Sequence, residues 1–77
     1  MPSPQDAMDI LLEKGFAVES IQDKQGAIVL LTKPRAGHAS IYVPIPINKE
    51  YVPTKVFEIW MKTAGIARAE YSHLLSE

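Results

Sequence analysis

The spacing of apolar and polar positions changes character several times along the chain. Met8, Leu11 and Leu12, with Ala7 beside them, recur at helical intervals, while Asp9, Glu13 and Lys14 fall largely on the other side. Ser3-Pro4-Gln5-Asp6 supplies an N-cap, a proline whose missing N–H costs nothing at the first helical position, and an acid three residues past the cap. Gly15 suits the left-handed residue that ends such a helix, and Phe16 is placed to fold back onto it. The spacing therefore predicts a helix from the Ser3 cap to Gly15.

From Phe16 the period becomes two. Phe16 and Val18 share one face, Glu19 sits between, and Ile21 is expected on the opposite face. Asp23-Lys24-Gln25-Gly26 reads as a tight turn. Ala27-Ile28-Val29-Leu30-Leu31-Thr32 is a short apolar run rich in β-branched residues, as a central buried strand would be. Lys33-Pro34-Arg35-Ala36-Gly37-His38 is expected to end it. Ala39-Ser40-Ile41-Tyr42-Val43 alternates as a third strand, and Pro44-Ile45-Pro46-Ile47 fits only an edge or an extended exit, since each proline lacks a ladder donor.

Pro53-Thr54 opens a second helix in which Phe57, Trp60, Met61 and Ala64 repeat at helical spacing, with Val56 widening the stripe, and Gly65 closes it. Ala67, Tyr71, Leu74 and Leu75 continue the period and predict a short third helix. The expected fold is α+β: helix, three-stranded antiparallel sheet, helix, with both main helices on one face and an extra short C-terminal helix. Residues 1–66 form the domain and 67–77 extend it. The core is expected from Leu11, Leu12, Val29, Leu31, Val43, Trp60, Met61 and Ala64.

Seventy-seven residues hold one domain at most, which excludes a two-domain enzyme. A chain 47% hydrophobic and 22% charged is neither disordered nor membrane-spanning in character, and its start carries no secretory signal pattern, so a cytoplasmic location is expected. With no cysteine there is no disulfide framework, thiol nucleophile or zinc-finger ligand set. No cofactor or metal is expected.

The net charge of -1 is unlike that of a strongly basic duplex binder, but the charges are unevenly distributed. Residues 1 to 32 set Asp6, Asp9, Glu13, Glu19 and Asp23 against Lys14 and Lys24. Residues 33 to 62 set Lys33, Arg35, Lys49, Lys55 and Lys62 against Glu50 and Glu58. The split reads either as scattered solvated charge or as one basic face.

His38, in the loop between strands, and His73, in the terminal helix, are the candidate acid–base groups. Each has a plainer reading as a surface residue, and their separation gives no metal-ligand spacing. Trp60 and Phe57 occur at core spacing, whereas Tyr42 and Tyr51, flanking Lys49, are the better candidates for stacking on a base. No nucleophile elbow, Gly-rich phosphate loop or paired carboxylates are present.

Several phrases together carry a resemblance: Ile10-Leu11-Leu12-Glu13-Lys14-Gly15-Phe16, then Ile41-Tyr42-Val43-Pro44-Ile45-Pro46, then Asn48-Lys49-Glu50, and Ile59-Trp60-Met61-Lys62-Thr63-Ala64-Gly65-Ile66. In this order they resemble the HicA family of small toxins over roughly residues 6 to 66. The resemblance implies a double-stranded-RNA-binding-like fold, degradation of mRNA, and a HicB-like antitoxin as partner. The family places a histidine after the glycine that opens the second strand. Here Gly26 is followed by Ala27, Ile28 and Val29.

Three functional readings follow. The leading one is a HicA-like RNA-binding or toxin-derived module that has lost the ribonuclease step. The second is an active mRNA interferase using a displaced histidine, His38. The third is a protein-interaction module that keeps only the fold. If RNA binds, Lys33, Arg35, Lys49, Lys55 and Lys62 are the expected contacts, acting on phosphates.

Overall fold

Ser3 begins the first helix by exchange with its third helical residue. The Asp6 N–H donates to Ser3 Oγ at 3.1 Å, and the Ser3 N–H donates to Asp6 Oδ2 at 2.9 Å. Helix α1 then runs Pro4–Glu13 in a computed structural model that describes residues 2–22 and 27–75. Its end is a paired carbonyl closure: the Phe16 N–H donates to the Leu11 carbonyl and the Gly15 N–H to that of Leu12, with Gly15 at φ 95°. The second main helix, α2, Thr54–Thr63, ends the same way, with Ile66 donating to Met61 and Gly65 to Lys62. Both expected helices and their glycine stops are present.

Strands β1 (Ala17–Gln22), β2 (Ile28–Arg35) and β3 (His38–Pro46) form an antiparallel sheet in the order β1-β2-β3. The segment Asp23–Gly26, expected to be a tight turn, lies outside the described residues. Two strand expectations need correction. β2 does not stop at Thr32 but continues to Arg35, because a register shift between Lys33 and Arg35 lets Pro34 sit where the ladder is already irregular. Val18 and Ile21 do not face opposite ways. A register shift at Glu19 puts them opposite Leu31 and Val29, on one face of the sheet.

Pro44 and Pro46 fit β3 for a positional reason. The Ile47 N–H donates to the Ala27 carbonyl at 2.9 Å, so alternate N–H groups back along β3, those of Ile45 and Val43, also point into the sheet. The two prolines occupy the intervening positions, whose donors would face away from β2.

Val29, Leu31, Val43 and Ile45 are buried beneath the helices, with Ala7, Ile10 and Leu11 from α1 and Phe57 and Met61 from α2. The expected core changes in two ways. Leu12 is 46% exposed, because the 100° advance per residue carries it off the Ala7–Leu11 line. Trp60 and Ala64 only pack against the core's margin. Phe16, Val52, Ile66 and Tyr71 complete it.

The predicted third helix is two pieces: a 3-10 turn, Arg68–Glu70, and a single helical turn, α3, Ser72–Leu75. Tyr71 between them is buried. The molecule is only 18 Å through its thinnest axis, enough for one sheet and one helical layer. Among the described residues, the other face of the sheet, carrying Ile28, Leu30, Thr32 and Tyr42, therefore has no layer over it.

Candidate nucleic-acid interface

The five cations expected to contact RNA fall into separate groups. Lys33 is on the helix-facing side of β2, and its ammonium donates to the Lys14 carbonyl at 2.8 Å and lies 6.0 Å from the centre of the Phe16 ring. It thus completes the C-terminal end of α1, where a cation opposes the helix dipole. Arg35 begins the β2–β3 hairpin and donates from Nε to the Ala39 carbonyl at 2.9 Å. Lys33 pairs with Ile41, and the five residues from there to Pro46 span about 17 Å of strand. Lys49 lies beyond that exit, near the start of α2.

Lys55 and Lys62 are brought together. They stand two helical turns apart on the outward side of α2 and line one shallow depression with Glu58 and Ile59. Ile59 is 62% exposed there, an apolar residue between two lysines. Glu58 is drawn into an ion pair with Arg68 from the segment after Gly65. This outward face therefore sets three cations against one acid. Arg68 is not among the contacts expected from the sequence. The clue to it is Gly65, whose positive φ of 75° turns the chain back along the helix it has just ended.

Lys49 instead lines a cavity at the beginning of α2, together with Tyr51, Val56 and Trp60. Tyr42 does not join Tyr51: it faces out from the open side of the sheet, opposite Thr32.

His38 opens β3 opposite Arg35, exposed and at the hairpin end of the sheet. His73 lies on α3, where it lines a cleft with Asp6, Asp9, Glu13 and Glu70. Neither imidazole lines the cavity beside Lys49 and Trp60 or the depression between Lys55 and Lys62. Residues 27–29, where the HicA resemblance would place a histidine, are alanine, isoleucine and valine on or near β2, and Val29 is buried.

Near the cleft, Lys14 pairs with Glu70 across the gap between α1 and the 3-10 turn. The hydrogen bond from Lys14 holds the Glu70 carboxyl below its ordinary range, helped by the Ala67 N–H at 3.2 Å. The same hydrogen bond raises the Lys14 ammonium above its ordinary value. Among the described residues, no group of three His, Cys, Asp or Glu side chains is gathered to hold a metal ion, and no helix is long and apolar enough to cross a membrane.

No family model, curated protein or solved structure matches the chain.

Proposed function

We propose that this chain is a HicA-like, toxin-derived RNA-binding module of the cytoplasm that has lost the ribonuclease step. The observation that carries the reading is the outward face of α2, where Lys55 and Lys62 flank exposed Ile59 and Arg68 adds a third cation, with no imidazole among the residues lining that depression. The helix, three-strand, helix order is the one the HicA resemblance implies.

Phosphate contacts from Lys55, Lys62 and Lys49 supply the affinity, so RNA binding is modest and falls with salt, with a logarithmic slope of roughly -2 for three contacts on a single strand. A missing general acid or base costs on the order of 10²–10⁴ in rate, and Ala27, Ile28 and Val29 cannot move a proton. The protein partner on this reading is a HicB-like antitoxin.

The test is a paired measurement on the purified chain: cleavage of a labelled mRNA, and its binding followed by anisotropy across a salt series. Binding without cleavage, lost in a Lys55→Glu/Lys62→Glu variant that keeps its folding midpoint, supports the reading. Cleavage that His38→Ala abolishes would instead assign an active interferase with a displaced histidine. Absence of RNA binding at low salt leaves the fold as a protein-interaction module.

A further inference from the structure

Trp60 occupies a helical position whose spacing assigns it to the interior, yet it is only half-buried. Its exposed part lines a surface cavity of about 360 Å³ with Tyr51, Pro46, Pro53, Val56 and Lys49. That volume falls at the small end of the range for sites that take a small molecule or a single ring system. The walls are aromatic and proline rings with the branched side chain of Val56, and the charged residue among them is Lys49.

The cavity is held in shape by backbone that cannot easily shift. Val52 beneath it is 2% exposed, and its N–H donates to the Pro2 carbonyl at 2.8 Å. Pro46 closes the β3 ladder opposite Ile28, and the Pro53 carbonyl accepts the first helical bond of α2 from Phe57 at 3.0 Å. Helix α2 also starts with no side-chain cap and no acid in its first turn, so its positive end adds to the charge of Lys49 beside the cavity.

We propose that this cavity takes one unpaired nucleobase of single-stranded RNA, stacked on Trp60 and Tyr51, with the adjoining phosphate held by Lys49. The inference rests on the RNA-binding reading and specifies its substrate class. A base inside a duplex is stacked and paired and cannot enter, whereas an unstacked base offers an aromatic face with an anion one sugar away. A proline-rich peptide also suits an aromatic-lined groove, but its uncharged backbone gains nothing from Lys49 or from the uncapped start of α2.

Trp60 is the chain's single tryptophan, so its emission reports from the cavity itself. The full chain is titrated with a short oligoadenylate, a blunt RNA duplex, inorganic phosphate and a proline-rich peptide, with RNA binding followed in parallel by anisotropy. Oligoadenylate should quench Trp60, while duplex and phosphate leave it unchanged. Tyr51→Ala should weaken oligoadenylate binding roughly 5- to 150-fold, the range for loss of one stacked base. Because Tyr51 is 53% exposed, its folding midpoint should not move. Lys49→Gln should weaken binding and reduce the salt slope by about 1. Oligoadenylate binding with no change in Trp60 emission and no effect of Tyr51→Ala overturns the cavity assignment while leaving RNA binding on α2 in place. Quenching by the peptide but not by oligoadenylate overturns it in favour of a peptide site. No anisotropy change with either RNA removes the RNA-binding reading itself.

Discussion

The ring of Tyr71 stands edge-on to that of Phe57, with centroids 5.7 Å apart and planes at 62°. Phe57 is wholly buried at the centre of α2, and Tyr71 comes from the break between the 3-10 turn and α3. This contact ties the segment after Gly65 to the core it would otherwise only border. Tyr71→Ala should cost about 2–4 kcal/mol, from lost burial plus the aromatic pair, and Tyr71→Phe less than about 1. Chemical denaturation of the two variants measures the difference; equal midpoints would show that the segment does not contribute to the core.

Lys33 and Lys55 are both lysines of the basic half of the sequence, and their substitutions should behave differently. Lys33→Met removes the bond to the Lys14 carbonyl and the contact with Phe16, and should lower stability by about 1–2 kcal/mol. Lys55→Met, at an exposed position on α2, should change stability by less than about 0.5 kcal/mol. Urea melts of the pair decide this, and equal effects would contradict the role given to Lys33 at the end of α1.

The Lys14–Glu70 pair predicts a pH dependence with two limits. Glu70 is held below the ordinary carboxylate range, so its contribution is present above that range and is lost as pH falls through its depressed value. Lys14 is raised, so its contribution is full below the ordinary lysine value and is lost as pH rises through the elevated one. Both groups are solvent-exposed, and the effect should be small and reduced by salt. Comparing the acid limb of thermal stability in the wild-type chain and Glu70→Gln checks it: the limb should be shallower in the variant.

Gly65 is a site where a side chain is costly although space is open. No atom lies within 4 Å of the point a Cβ would occupy, but φ is 75°. Gly65→Ala should therefore cost about 1 kcal/mol from backbone strain alone. Gly65→Asn should cost less, because asparagine tolerates the left-handed region. A thermal melt in which alanine and asparagine are equally destabilising would count against this origin.

The helices are legible in the sequence because their punctuation is local. Ser3, Asp6, Gly15 and Gly65 each act within a few residues, and all four act as their residue types suggest. The facing of β1 is not legible, because the register shift at Glu19 depends on how β1 meets Leu30 and Leu31, which are distant in sequence. The same holds for Lys33. Its charge groups it with Lys49 and Lys55, but only the fold brings it to the Lys14 carbonyl. The period assigns Trp60 to the core, yet a period gives direction around a helix and not how far the neighbouring layer reaches. The sheet ends at β3, and the loop carrying Tyr51 leaves one side of the indole uncovered.

Pro44 and Pro46 give the sheet an asymmetric capacity for growth. On the β3 side, these two positions, which would offer donors to a further strand, carry none. On the other side, β1 contains no proline and keeps every backbone donor, next to the irregularity at Glu19. In the language of polymer chemistry, the two edges have unequal functionality: β3 is blocked at its Pro44–Pro46 end and keeps an outward donor at Tyr42, whereas β1 is receptive along its whole length.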